Sequence, residues 1–151
     1  MSTPARETVI IGIRKHLLSR LESMHESLLE LQTANASNSK STAGDKHDTE
    51  RAMNHMEMAT LSQQVDAEKR QLHELEALER SNAEKTIAKG SIVRTQRHNL
   101  FIGLAFGSVD IDGWTVTGIS IQSPLGNALL GLSKGEQCSV NGMLHTVEEV
   151  I

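Results

Sequence analysis

Hydrophobic residues recur at intervals of three and four in the first part of the chain, which is the spacing of an amphipathic helix. The stripe consists of Ile10, Leu17, Leu21, Met24, Leu28 and Leu31. Arg14 interrupts this stripe, and Ile13 lies beside the gap and can fill it. Charged residues such as Arg20 and Glu22 occupy positions between the apolar ones. The pattern therefore predicts a helix with a coiled-coil seam on one side and water on the other.

A second stripe with the same spacing follows later in the chain. Its members are Met58, Leu61, Val65, Leu72 and Leu75. Glu68 interrupts it, and Met53 and Met56 are expected to continue it toward a turn. Between the stripes, residues 34–44 are small and polar and end in Gly44, so we predict the turn there. Two stripes of similar length bury each other best as an antiparallel hairpin.

The residue types change near position 81. Of the 11 glycines, all but Gly12 and Gly44 lie in residues 82–151. Segments rich in β-branched and aromatic residues predict strands at 91–95, 100–106 and 114–117. We therefore expect an α+β protein, with a helical hairpin over 1–81, its tip near 40–50, and a small β-rich domain over 82–151.

Two kinds of local signal complete this picture. Asp112-Gly113 and Asn141-Gly142 predict hairpin turns, because both residue types tolerate positive φ. Ser123 can cap a short helix in which Pro124 takes the first position and Gly131 ends the last turn. The β domain should thus contain one short helix.

Composition limits the partners of the protein. Only 2% of the residues are aromatic, and the net charge is −4. A chain with this charge is not expected to bind DNA directly, since phosphate binding needs a clustered basic surface. Cys138 is the only cysteine, and the apolar run at 9–13 is too short for a membrane span or a signal-peptide core. We expect a cytoplasmic protein with no membrane association.

Two motifs resemble those of the Gre transcript-cleavage factors of bacterial RNA polymerase. The first is the acidic stretch Gly44-Asp45-Lys46-His47-Asp48-Thr49-Glu50. The second is Ser123-Pro124-Leu125-Gly126-Asn127-Ala128-Leu129-Leu130-Gly131, followed by Lys134-Gly135-Glu136. The Gre factors join an N-terminal antiparallel coiled coil to a C-terminal domain with an FKBP-like β fold. Asp48 and Thr49 stand where that family usually has Glu and Asn.

The resemblance implies a function that the protein performs together with RNA polymerase. The tip would enter the secondary channel, and Asp45 and Asp48, with Glu50 as a further candidate, would help to hold a Mg²⁺ ion shared with the polymerase. This would stimulate the cleavage of RNA by the polymerase in backtracked complexes, so the protein would not be an enzyme by itself. The implied partner contacts are Gly44, Lys46 and His47 at the tip, with indirect contact to nascent RNA, and Ser123, Pro124, Leu125 and Gly126 in the β domain.

Other interpretations remain open at this point. The acids at the tip can stabilise the start of a helix without any metal. The altered tip favours a regulator that occupies the channel without promoting cleavage. The FKBP-like resemblance suggests a prolyl isomerase or chaperone, although the domain has only Phe101, Phe106 and Trp114 as large rings. A coiled-coil adaptor is a fourth alternative, and it leaves the acidic tip unexplained.

Three further groups of residues carry weaker predictions. His47, His55 and His73 do not have the spacing of zinc ligands. Cys138 lies in a strand-like segment and is expected to be a small core residue rather than a nucleophile. The basic patch formed by Arg94, Arg97 and His98 is expected to be solvent-facing surface, with polymerase contact as the alternative.

Overall fold

A computed structural model describes residues 2–38, 44–79 and 85–151, and within these ranges it leaves the side chains of residues 37, 38 and 44–47 undescribed. The described part is α+β, as predicted: two long helices precede six strands and one short helix. The helices are α1 (Arg6–Asn38), α2 (Gly44–Glu79) and α3 (Pro124–Leu129). The strands are β1 (Ile92–Thr95), β2 (Asn99–Ile102), β3 (Gly107–Ile111), β4 (Trp114–Ile119), β5 (Gln137–Val140) and β6 (Met143–Val150).

The chain divides into two compact units. One comprises Met1–His16 and Gln71–Ile151, and the other comprises Leu17–Arg70. The first unit therefore includes the start of α1 and the end of α2 together with the whole sheet. The second unit contains only the remaining parts of the two helices.

Within Leu17–Arg70 the helices run antiparallel, because early positions of α1 meet late positions of α2. Arg20 pairs with Glu68, whereas Asn54 donates a hydrogen bond to Asn35 at 3.1 Å. The predicted seam is confirmed. Leu17 and Val65 are buried, and the other members of the two predicted stripes within this unit are half-buried. Charged residues such as Glu22 lie exposed, as predicted.

Two predictions about the hairpin are wrong in detail. Helix α1 continues to Asn38, so residues 34–38 are helical rather than part of the turn. The reason is a tertiary contact, since the Asn35 amide bonds to Asn54 and to the Met58 sulfur. Met53 and Met56 do not continue the seam but are 65% and 73% exposed, because the half-buried positions next to Met58 on the α2 seam are Asn54 and Arg51.

The sheet has the strand order β3-β4-β2-β1-β6-β5. The β2–β4 pair is parallel, and the four other neighbouring pairs are antiparallel. Asp112-Gly113 and Asn141-Gly142 form the predicted hairpin turns, with positive φ at all four residues. The strand predicted at 100–106 ends at Ile102, because the next residue, Gly103, adopts a φ of +115° that leaves the strand region.

Apolar residues cover both faces of this sheet. On one face lies a cluster of Ile87, Val93, Leu100, Ile102, Leu129 and Val147, and Leu129 brings α3 into it. Alternation along β2 turns Phe101 to the opposite face, where its ring lies 5.8 Å from that of Phe106. Gly118 permits the close approach there, since a Cβ atom would lie 2.1 Å from the Leu104 carbonyl oxygen.

The start of α1 belongs to the same unit as the sheet. A Cβ atom on Gly12 would lie 2.8 Å from Cγ1 of Ile111, so the helix and β3 are in close contact at this point. Arg6 donates to the carbonyl oxygens of Gly90 at 2.7 Å and Leu78 at 3.0 Å. Burial lowers the pKa of Arg6 from its ordinary value, and nearby Glu79 opposes that shift. Arg6 thus connects α1 to the end of α2 and to the segment that leads into β1.

Candidate functional site

The acidic tip lies at the start of α2, which begins at Gly44. Asp48 and Glu50 are exposed, whereas the side chains of Asp45, Lys46 and His47 lie outside the described residues. On a helix, positions three apart lie on one side, and positions two apart are about 200° apart around the axis. Positions 45 and 48 are therefore neighbours, and Glu50 belongs to a different side of α2.

The charges at this end of the helix suit both interpretations of the tip. Acidic side chains in the first turn interact favourably with the helix dipole. The same exposed carboxylates offer the oxygen ligands that Mg²⁺ prefers, and that ion accepts one or two protein carboxylates with the rest of its shell supplied elsewhere. Among the described residues there is no group of three or more His, Cys, Asp or Glu side chains arranged to hold a metal.

The second predicted site, at the start of α3, has a well-defined local structure. Ser123 is the N-cap: its hydroxyl accepts from the Gly126 amide at 3.1 Å and donates to the Ser120 carbonyl at 2.6 Å. Gly126 has no room for a side chain, since a Cβ atom would lie 2.1 Å from the Ser120 oxygen. Leu125 packs against the core cluster, and Pro124 is exposed at the first helical position.

These contacts show different roles for the four residues at the start of α3 that are among those predicted to bind a partner. The side-chain positions of Ser123, Leu125 and Gly126 are explained by capping, core packing and close backbone approach. Pro124 alone among them is exposed without a core contact, so it is the one whose side chain is most accessible to another molecule.

A third feature is a cleft of about 460 Å³ at the turn between β1 and β2. Polar side chains line it, among them Arg94, Gln96, Arg97, His98, Asn99 and Glu148. Thr95 organises the turn, because its hydroxyl accepts from the amides of Arg97 at 3.1 Å and His98 at 3.0 Å.

The basic patch predicted from sequence is divided in two in the structure. Arg94 forms ion pairs with Glu148 and Glu149 on β6, so its charge is balanced within the sheet. Arg97 instead donates through Nε to the Leu144 carbonyl oxygen at 2.9 Å. Sequence reasoning could not foresee this division, because the strand pairing that brings β6 beside β1 joins residues about 50 positions apart.

A buried histidine lies next to this turn. The ring of His145 stacks on that of His98 with 6.2 Å between centroids, and its buried Nδ1 atom has no hydrogen-bond partner within the described part of the chain. Burial is the largest cause that lowers the pKa of His145, and electrostatic interactions with Arg97 and His98 add to the effect. Sequence analysis missed this residue, since nothing in its local pattern shows that it is buried.

Cys138 pairs with His145 across the β5–β6 ladder. It is half-buried, and burial raises the pKa of its thiol. A raised pKa keeps the sulfur in the poorly nucleophilic thiol form, which supports the prediction of a packing role.

No protein-family model matches the chain, and no curated protein shows significant similarity to it. None of the described helices is both long and apolar enough to cross a membrane.

Proposed function

We propose that this protein is an RNA polymerase accessory factor of the Gre type, whose helical tip enters the secondary channel and stimulates transcript cleavage. The observation that carries the proposal is the position of the acidic stretch at the start of α2, where an antiparallel partner helix ends at Asn38. In the proposal, Asp45 and Asp48 meet the active site of the polymerase, and the β domain binds the polymerase surface. The proposal includes an FKBP-like fold for that domain and a cytoplasmic location.

The arrangement of elements supports this interpretation. Two long helices precede a six-stranded mixed sheet with one short helix packed on it, which is the order that the Gre resemblance implies. The Ser123-to-Gly131 motif forms a helix capped by Ser123, with Pro124 at its first turn and Gly131 at a φ of +82° after its end.

The chemistry requires the polymerase as well as this chain. Positions 45 and 48 lie on one side of α2, and their carboxylates would supply part of the shell of a Mg²⁺ ion whose other ligands belong to the polymerase. When bound, such an ion helps to orient an attacking water and to stabilise the leaving oxygen in phosphodiester hydrolysis. The residues of the tip therefore position the ion, and the protein alone is not expected to cleave RNA.

The first test measures transcript cleavage. The protein is added with Mg²⁺ to a backtracked complex of its cognate RNA polymerase, and RNA release is followed with time. We expect faster cleavage with the wild-type protein and a loss of at least about tenfold with Asp45→Ala, equivalent to ~1.4 kcal/mol of activation free energy. Asp66→Ala is the matched control, since Asp66 is an exposed acid elsewhere on α2.

Polymerase binding is measured in parallel so that loss of binding and loss of chemistry are distinguished. Asp45→Ala should bind as the wild type does. Equal cleavage by this variant and the wild type would exclude the metal role, and absence of polymerase binding by the wild type would exclude the whole proposal.

A docking test uses Pro124. Its exposed ring can be removed without loss of a core contact, so Pro124→Ala should weaken polymerase binding while thermal stability changes little. Gly126→Ala does not serve this purpose, because the added Cβ would collide with the Ser120 carbonyl and disturb α3 itself. Unchanged affinity of Pro124→Ala would remove α3 from the docking surface.

A non-cleaving regulator of the secondary channel is the second candidate. It is favoured by Asp48, whose side chain is shorter by one methylene than the glutamate usual in Gre factors. A shorter reach would misplace the carboxylate relative to the reacting groups. Binding without cleavage by the wild type, together with cleavage by Asp48→Glu, would identify this alternative.

The prolyl isomerase alternative has less support. Isomerase-like recognition of proline needs apolar rings that face a pocket. Here Phe101, Phe106 and Trp114 are at most 7% exposed, and they do not line the polar cleft at the β1–β2 turn.

A further inference from the structure

We propose that the cleft at the β1–β2 turn docks an acidic, partly apolar segment of a partner protein, with Arg97 as the carboxylate-binding residue. This inference goes beyond the proposed function, because it assigns a site to residues that the tip and α3 do not include. It does not depend on whether the partner is RNA polymerase.

Arg97 is held in position before any ligand arrives. Its amide donates to the Thr95 hydroxyl, and its Nε donates to the Leu144 carbonyl. Among the described residues, no hydrogen bond or ion pair involves its terminal nitrogens, which therefore remain as donors at the cleft. An ordered guanidinium can bind a carboxylate through two parallel hydrogen bonds and loses less conformational entropy when it does so.

The charges in the cleft are separated along β6. Glu148 forms an ion pair with Arg94. It lies four residues along β6 from Leu144, which corresponds to about 13 Å between the two backbone positions. At the other end lies Arg97, whose guanidinium is permanently charged and forms no ion pair among the described residues. This end of the cleft is therefore electropositive, and a carboxylate placed there meets Arg97 without direct repulsion from Glu148.

Exposed apolar side chains adjoin the electropositive end. Met143 and Leu144 at the start of β6 are 45% and 46% exposed, and the Leu144 carbonyl is bonded to both Gln96 and Arg97. Apolar side chains beside a positively charged one are suited to bind a partner protein segment in which an acidic residue has apolar neighbours. They do not suit a phosphate backbone, which has no apolar side chains to place beside them.

The test titrates peptides into the isotopically labelled full-length protein and follows amide NMR signals. The probe is an acetylated, amidated Leu-Glu-Leu-Glu-Leu peptide, called the Glu peptide. The control, called the Gln peptide, has Gln in place of both Glu residues. We expect the Glu peptide to shift the amides of Arg97, His98 and Leu144, and the Gln peptide to bind about tenfold more weakly, as for the loss of a charge-assisted hydrogen bond. The Arg97→Gln substitution should weaken the binding of the Glu peptide by a similar factor.

Matched variants separate recognition from folding. Arg70→Gln removes an exposed arginine from α2 and should leave peptide binding unchanged. If Arg97→Gln disturbs the fold, Met143→Ser provides the second variant, because it changes only an exposed side chain at the β5–β6 turn. This substitution should weaken the binding of the Glu peptide but leave any binding of inorganic phosphate unaffected.

Four results would overturn the proposal. The first is equal binding of the Glu and Gln peptides, and the second is the absence of shifts around Arg97 at millimolar peptide. The third is inorganic phosphate binding as tightly as the Glu peptide, which would identify a simple anion site. The fourth is tighter binding of a single-stranded oligonucleotide than of the Glu peptide, which would assign the surface to nucleic acid.

Discussion

At the scale of single residues, His145 is a titratable side chain that the fold removes from water. It is 4% exposed, its Nδ1 has no hydrogen-bond partner among the described residues, and Arg97 and His98 lie nearby. These conditions lower its pKa from the ordinary value of 6.5. The folded protein therefore contains the neutral imidazole, and protonation works against folding.

This arrangement predicts a pH-dependent stability. Because the unfolded chain binds the proton more readily, the contribution of neutral His145 is fully present above about pH 6.5 and is lost as the pH falls below it. The free energy of unfolding should then fall with the pH, and ~1.4 kcal/mol per pH unit is the upper limit of the slope for a single titrating group. Denaturant unfolding at several pH values checks it.

His145→Phe keeps a ring against His98 and removes the titration, so its stability should depend less on pH in this range. His55→Gln is the control, since His55 is exposed on α2. A wild-type protein and a His145→Phe variant with the same pH dependence would contradict the argument.

At the scale of elements, the helical hairpin contains a charged residue in its seam. Glu68 is 4% exposed, and its only ion pair described here is with Arg20 at 3.6 Å, with one carboxylate oxygen lacking a hydrogen bond. A buried charge with an imperfect partner loses more free energy by desolvation than it gains from the attraction. The interruption of the apolar stripe seen in the sequence is therefore a weak point of the packed helices.

Glu68→Leu should stabilise the protein by about 1–2 kcal/mol, because it fills the seam with an apolar side chain of similar size. Chemical denaturation measures the change. Glu76→Leu on an exposed position of the same helix should give a change within about 0.5 kcal/mol. If Glu68→Leu destabilises the protein, the Arg20–Glu68 pair contributes net stability and the desolvation argument fails.

At the scale of the whole molecule, buried apolar residues are distributed unequally between the two compact units. In Leu17–Arg70 the buried hydrophobic residues among those described are Leu17 and Val65. The unit that contains the sheet holds the other buried hydrophobic residues, including Phe101, Ile102 and Val116. Helices that bury little apolar area are only marginally stable on their own.

Amide hydrogen exchange should reflect this difference. We expect amides of α1 and α2 within Leu17–Arg70 to exchange faster than those of β1, β2 and β6, because local opening exposes less apolar surface there. Measurement of the full-length protein by NMR or mass spectrometry resolves the two groups. Equal protection of both units would show that they open as a single cooperative structure.

Much of the architecture could be predicted from the sequence because it depends on local pattern. The spacing of Leu17, Leu21 and Val65 predicts the helical seams, and the Asp112-Gly113 and Asn141-Gly142 pairs predict turns that need positive φ. Ser123 predicts a helix cap, which the structure contains. The resemblance of the acidic stretch to the Gre tip is also a property of sequence, and the function derived from it remains a prediction.

Tertiary structure alone decided the features that join distant positions. Asn35 extends α1 beyond the predicted turn because Asn54 is there to bond with it, and Met53 is exposed because the seam passes through other positions. The division between Arg94 and Arg97 and the burial of His145 both arise from the pairing of β6 with its neighbours. Local periodicity specifies which face of an element is apolar, but which polar groups become partners depends on where the chain brings strands and helices together.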